Sequence, residues 1–263
     1  RKHKPTHVIH LAARVGGIKA NTDNIADFYR DNILINTNVL EAARIYKTQK
    51  VLSLMSTCAY PANIDLPLKE ASLHDGDPHP SNFGYAYAKR ALDIQSRAYR
   101  QQYGCNFITA IPNNLFGEYD NFDLENSHVI PAMIRKIYEA KKDNKSVVLW
   151  GDGSPLREFT YAKDMAKALM FILDKYDKPE PINVGNAEEH SIKHVAQAIS
   201  GILEFEGEVI WDTSKPNGQL RKPSCSEKMG ELGWGREKYT NLTTTLEHTC
   251  SWFVKKYPNV RGM

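Results

Sequence analysis

Three short strand-like runs, separated by stretches of helix length, constrain this chain more than any other feature. His7-Val8-Ile9-His10-Leu11, Val51 to Met55 and Phe107 to Ile111 each read as a strand buried on both faces. Between the first two, Ile33, Ile35, Val39, Leu40, Ala43 and Ile45 recur at helical spacing from about Asp27 to Tyr46. Between the second and third, Tyr85 to Tyr103 reads as a helix. Parallel neighbours in a sheet can be reached only by a crossover, so this alternation predicts a parallel sheet. The fold class is α/β, a doubly wound Rossmann-like sheet with helices on both faces.

After Pro112 the pattern loosens. Helices are expected at His128 to Ala140, Ala162 to Tyr176, Ser191 to Leu203, Ser226 to Leu232 and Thr244 to Tyr257. Short strands are expected at Val147 to Leu149, Pro181 to Gly185 and Glu208 to Trp211. The mixture predicts a smaller α+β lobe, and 263 residues suffice for both cores.

A net charge of +3, with its basic residues scattered, argues against nucleic acid as a partner. Cys58, Cys105, Cys225 and Cys250 show no C-x-x-C spacing, so reduced thiols are expected, without a metal site or disulfides. Cys105 and Cys250 fall in element-like segments and read as core, Cys225 as loop. No apolar stretch is long enough to span a membrane and no signal peptide is visible, which predicts a cytoplasmic protein. Asn241-Leu242-Thr243 matches a glycosylation sequon and is read as chance.

The chemistry concentrates in Gly84-Tyr85-Ala86-Tyr87-Ala88-Lys89, downstream of a strand that ends in Ser56-Thr57-Cys58. Four residues apart on a helix, Tyr85 and Lys89 share a face, whereas Tyr87 points elsewhere. A lysine so placed can lower the phenol pKa and ready it for proton exchange at a carbonyl. Ser56 can donate to the same carbonyl as negative charge develops on its oxygen. Such a trio suits a nicotinamide-dependent reductase of sugar ketones.

Further motifs surround it. They include Pro5-Thr6-His7 through Ala12-Ala13 with Val15-Gly16-Gly17, and Ser56 through Pro61. Asn82-Phe83-Gly84-Tyr85 and Pro112-Asn113-Asn114-Leu115-Phe116-Gly117 follow. Downstream stand Asp120-Asn121-Phe122, Ser127-His128 through Pro131, and Trp150-Gly151-Asp152-Gly153 with Arg157-Glu158-Phe159. Over essentially its whole length the chain resembles the extended short-chain dehydrogenase/reductases. Within them it resembles the branch that epimerises and reduces GDP-4-keto-6-deoxymannose.

The resemblance implies NADPH-dependent conversion of that sugar nucleotide to GDP-L-fucose, by 3,5-epimerisation and then 4-keto reduction. A C4 ketone acidifies the C3 and C5 protons, and inversion needs groups on both ring faces. The family's pair falls on Cys58 and His128, whose ordinary pKa values of about 8.5 and 6.5 permit exchange near neutrality. Tyr85 protonates the C4 oxygen, Lys89 tunes Tyr85 and holds the nicotinamide ribose, and Ser56 binds the keto oxygen. The resemblance assigns Leu54, Met55, Ser56, Thr57, Tyr85, Lys89, Pro112, Asn113, Asn114, Leu115 and His128 to NADP(H). Lys136, Trp150, Arg157 and Asn217 are assigned to the GDP-sugar. It divides the chain into a nucleotide-binding domain, 1–114 and 159–186, and a GDP-sugar domain, 115–158 and 187–263. A homodimer is implied, with contact helices in 28–46 and 86–103.

Two departures stand out. The family often has Asp where Lys215-Pro216-Asn217-Gly218 carries Asn217, which keeps a hydrogen-bonding side chain without its charge. The Gly-rich turn that should follow the first strand is also absent. The expectation is an N-terminally incomplete sheet with an unpaired edge, weak or no NADPH binding, and no residues that select NADP over NAD. A 4,6-dehydratase or 4-epimerase on the same scaffold, or a non-catalytic reductase-like binding protein, are the alternatives.

Overall fold

The computed structural model describes residues 3–215 and 217–263; Arg1, Lys2 and Pro216 of the Lys215 to Gly218 turn lie outside the described residues. The first stretch runs β1 (His7–His10), α1 (Ile18–Asp23), α2 (Ile25–Ile45), β2 (Lys50–Leu54), α3 (Phe83–Tyr103) and β3 (Phe107–Pro112). Then come β4 (Asn114–Phe116), α4 (Val129–Asp143), β5 (Val147–Trp150), β6 (Leu156–Tyr161) and α5 (Ala162–Lys175). The remainder is β7 (Ile182–Val184), β8 (Glu189–Ser191), α6 (Ile192–Ile202), β9 (Val209–Asp212), α7 (Glu227–Glu231) and α8 (Leu242–Lys256).

These elements form two units. The first comprises Arg1–Asn113, Met165–Gly185 and Ser224–Gly235. Its sheet has the order β1-β2-β3-β7, every pair parallel, with His10 opposite Ser53, Ser53 opposite Thr109 and Ile111 opposite Asn183. All six residues of β3 are buried, as a strand covered on both faces requires. Helices α2 and α3 pack side by side, burying Leu40 and Ala43 on one and Ala88 and Leu92 on the other.

Asn183 on β7 ties loops to this sheet. Its Oδ1 accepts from the Tyr60 hydroxyl at 2.9 Å. Its Nδ2 donates to the Leu68 carbonyl at 2.8 Å and the Cys225 carbonyl at 3.2 Å. The resemblance groups 224–235 with the second domain and 159–164 with the first; by contacts in the structure 224–235 falls in the first unit, held by these bonds and the Leu68–Ser224 bridge, and 159–164 in the second. Backbone groups without a strand partner seek a buried side-chain amide instead, which no periodicity reveals.

The second unit comprises Asn114–Asp164, Asn186–Pro223 and Arg236–Met263. It holds a three-stranded sheet in the order β4-β6-β8 and a parallel β5-β9 pair. Its core gathers Phe116, Ile134, Ile137, Phe159, Ile199 and Phe253. Strands β4, β6 and β8 were not expected: two are three residues long and β6 mixes charged with aromatic residues, so none alternates clearly. Cys250 is core, but Cys105 lies in the turn after α3 and is only half-buried, while Cys225 is in a loop and buried. The sequon residue Asn241 caps α8, its Oδ1 accepting from the Thr244 amide at 2.9 Å. Among the described residues no helix is long and apolar enough to cross a membrane.

Replacing Asn183 by Ala strands the Tyr60 hydroxyl and the Cys225 carbonyl, and leaves the Leu68 carbonyl with the Cys225 amide alone. It should destabilise the protein by about 3 kcal/mol, read from the shift of the urea unfolding midpoint.

Candidate active site

In the first unit the site is built where β2 ends. Leu54 closes the strand and the Met55 amide bonds to the Ala110 carbonyl at 2.8 Å, turning the Met55 side chain into the core. Ser56 then caps a tight turn over Thr57–Ala59, its Oγ accepting from the Cys58 amide at 3.2 Å. Arg90 on α3 is buried and donates from Nε to the Ala59 carbonyl at 2.6 Å, which fastens this turn to the helix.

The start of α3 is fixed by close packing. A Cβ on Gly84 would lie 2.6 Å from the Ile25 carbonyl oxygen, so only glycine lets the helix approach α2 here. One residue later comes Tyr85, and one turn further Lys89, whose Nζ lies 5.7 Å from the centre of the Tyr85 ring. Tyr87 leaves this face and donates to Asp77 at 2.6 Å.

Lys89 is 3% exposed, and its Nζ donates to the Leu54 carbonyl at 2.7 Å. Burial lowers its pKa to about 8. Tyr85 departs from expectation: its phenol is pushed up, not down. Burial of the hydroxyl is the main cause and the charge Cys58 can carry adds to it, while a hydrogen bond with Ser56 opposes. Lys89 directs its proton to a carbonyl rather than to the phenol, so desolvation prevails. The Tyr85 phenol therefore holds its proton at neutral pH, and Cys58 lies within electrostatic reach of it.

These residues suit a nicotinamide ribose. An ammonium has three donors, and the described residues give that of Lys89 one carbonyl and no carboxylate, leaving donors for hydroxyl groups. Pro112 and Asn113 end β3 next to β2 and are buried. Among the described residues no group of His, Cys, Asp and Glu could hold a metal ion.

In the second unit, His128 stands exposed at the start of α4 with extended backbone, and its carbonyl accepts from the Ala132 amide at 3.1 Å. Asn114 donates to the Glu158 carbonyl at 2.9 Å, and Leu115 pairs with Thr160. At the end of β5, Trp150 is exposed and carries two ammonium groups, Lys136 Nζ at 5.6 Å and Lys215 Nζ at 5.7 Å from its ring centre. Lys136 also lies 3.4 Å from the Val148 carbonyl, and burial lowers its pKa. Arg157 on β6 faces His190 of β8 in register.

Asn217 is engaged in the fold. Its Oδ1 accepts from the Asp152 amide at 2.9 Å and fills the space that a Cβ on Gly151 would occupy. Gly151 has a φ of +79°, so this turn needs glycine on both counts. Lys215 and Arg90 were missed in the sequence, although Arg90 directly follows Lys89 and Lys215 opens the turn that holds Asn217.

An ordinary lysine titrates near 10.4 and Lys89 in the folded chain near 8, so between these values the unfolded state binds more protons. Stability then rises with pH. From pH 8 to 10.4 the wild type should gain about 2–3 kcal/mol relative to Lys89→Met, measured by urea unfolding across that range.

Comparison with known proteins gives the context for this geometry. The model of the NAD dependent epimerase/dehydratase family matches residues 1–185. A GDP-L-fucose synthase of Dictyostelium discoideum is 43% identical over 262 residues, covering 99% of this chain and 82% of that protein. One from Sinorhizobium fredii is 44% identical over 254 residues, covering 96% and 80%. The crystal structure of a GDP-L-fucose synthetase from Naegleria fowleri bound to NADP superimposes with a TM-score of 0.93 at 39% identity, covering 99% of this chain and 80% of that one. The chain belongs to the NAD dependent epimerase/dehydratase family, and within it is similar to the GDP-L-fucose synthases.

Proposed function

We propose that this chain converts GDP-4-keto-6-deoxymannose to GDP-L-fucose, inverting C3 and C5 and then reducing C4. The observation that carries the reading is the thiol of Cys58 in the same corner as Ser56, Tyr85 and Lys89. A plain ketone reductase needs the latter three; a thiol beside them adds a proton-transfer group.

Cys58 and His128 carry the proton transfers at C3 and C5. Ser56 and the protonated Tyr85 donate to the C4 oxygen, stabilising the enolate that each deprotonation creates. Bound NADPH supplies hydride to C4. Tyr85 then delivers its proton to the same oxygen, and Lys89 holds the ribose. Leu54, Ser56, Thr57, Pro112 and Asn113, with Asn114, Leu115 and His128, complete the cofactor contacts; Met55 contributes main chain only. Lys136, Lys215 and Arg157 suit the diphosphate and Trp150 a planar face. Asn217 supports this subsite by fixing the Gly151-Asp152 turn. Four thiols suit a reducing, cytoplasmic setting.

The test is hydrogen exchange at C3 and C5 of GDP-4-keto-6-deoxymannose in heavy water without cofactor, followed by proton NMR. The wild type should incorporate deuterium at both carbons and Cys58→Ser at neither; a folded wild type that exchanges neither proton would refute the reading.

The enzyme acts as a homodimer through the outer faces of α2 and α3. Supporting this, Tyr29, Phe83, Tyr87, Ala91 and Ile94, together with His74 and Arg90, line a mainly apolar concavity of about 480 Å³ there, and Leu34 and Ile94 are more than half exposed. Ile94→Glu places a charge in that face. It should halve the mass seen by sedimentation equilibrium while leaving the unfolding midpoint of the isolated subunit unchanged.

A further inference from the structure

Lys89 has a neighbour for which the reaction above provides no role. His10 ends β1, is 4% exposed, and lies opposite Ser53, the residue before the Leu54 whose carbonyl holds the ammonium. Its Nε2 is 3.0 Å from Asn36 Oδ1 on α2. Asn36 Nδ2 in turn lies 3.4 Å from the carbonyl of Ala88, immediately before Lys89 on α3. Asn36 is itself 1% exposed. A main-chain carbonyl can only accept, so Asn36 turns its amino group to Ala88 and its oxygen to His10. The His10 nitrogen facing that oxygen must then carry a proton, which selects the Nε2–H tautomer. One amide thus links the end of β1, the middle of α2 and the turn of α3 that bears the lysine.

We propose that the His10–Asn36 pair is a positioning element for Lys89, tying α3 at Ala88 to the end of β1, whose neighbour β2 ends in Leu54. The proposal rests on the reductase reading, in which Lys89 must meet the ribose at one fixed place. Two structural facts support it, and the electrostatics of His10 agree. Among the described residues the Lys89 ammonium has a single carbonyl partner, so its position depends on the spacing between α3 and β2. Both residues of the pair are fully enclosed, where a hydrogen bond is not exchanged for one with water. The imidazole is also kept neutral: burial is the main cause, the charge of Lys89 adds to it, and the bond to Asn36 opposes. A protonated histidine there would push the ammonium from its carbonyl; a neutral one leaves it in place.

The experiment reads Lys89 directly, in the chain without cofactor or substrate. Lysine Cε is labelled with carbon-13, the Lys89 resonance is assigned by its loss in Lys89→Met, and its titration midpoint is followed from pH 6 to 11. His10→Ala and Asn36→Ser break the link. His10→Gln keeps an N–H donor for Asn36 and is the rescue variant. The expected result is a wild-type midpoint near 8. It should rise by about one pH unit or more in His10→Ala and Asn36→Ser as water reaches the ammonium, and return in His10→Gln. NADPH oxidation with GDP-4-keto-6-deoxymannose should fall at least about tenfold in the first two variants, while cofactor-free exchange at C3 and C5 persists. A midpoint unchanged in both variants, or exchange falling in step with reduction, overturns the proposal by reducing the pair to a packing contact. Asn36→Ser removes little volume, so it decides the matter where His10→Ala does not fold. The titration needs no substrate; a wild type that titrates as expected but turns over nothing would sink the functional reading and leave the positioning one standing.

Discussion

A single buried ammonium organises the catalytic corner. Enclosing a lysine charge is expensive unless it finds partners, and here its partner is the uncharged carbonyl that closes β2. That bond survives only if strand end and helix are held at fixed separation. The surrounding sequence meets the requirement from several sides. Gly84 lets α3 start against α2, Arg90 fastens the helix to the Thr57–Ala59 turn, and the parallel register of β1, β2 and β3 brings their carboxyl ends level. Lys89 is costly to bury, and the dense packing that offsets the cost also immobilises Ser56, Cys58 and Tyr85.

The second unit works under the opposite constraint. Trp150, Lys136 and Lys215 meet at the end of β5 with the indole largely in solvent. Cations and an aromatic face in water recognise charge and shape at modest strength, which suits a ligand's diphosphate and base more than bond making. Dryness in the first unit strengthens hydrogen bonds to a developing oxyanion; wetness in the second permits exchange of a large polar ligand. The Asn217 amide belongs to neither chemistry. It shapes a glycine turn, a task that an uncharged hydrogen-bonding side chain performs.

What the sequence made legible follows the same division. Strands β2 and β3 and helices α2 and α3 could be read within a few residues because burial on both faces and helical periodicity are strong, local signals. Strand β1 pairs as expected but is not buried on both faces, since His7 and Leu11 are exposed and Val8 and Ile9 only half-buried. Tyr85 and Lys89 could be placed on one face from spacing alone. The small sheet of β4, β6 and β8 could not, since three-residue strands owe their pairing to distant partners. Nor could the roles of Asn183, Asn36 and Arg90, whose side chains satisfy main-chain groups far away in sequence. The direction of the Tyr85 shift was misread for a related reason: a four-residue spacing sets which face a lysine occupies, not whether its proton goes to the phenol or to a carbonyl.

That reversal bears on how one phenol can serve two reactions. Epimerisation needs a group that donates to the C4 oxygen through two rounds of deprotonation without surrendering its proton. Reduction needs the same group to surrender it once. A phenol with a lowered pKa would lose its proton to any modest base; one raised by burial holds it against an enolate. A C4 alkoxide is a far stronger base than an enolate oxygen, so transfer becomes downhill only after hydride has arrived. A negative charge on Cys58 raises the phenol further. Under the proposed reaction, a phenol raised by burial would keep its proton until the oxygen that needs it is basic enough to take it.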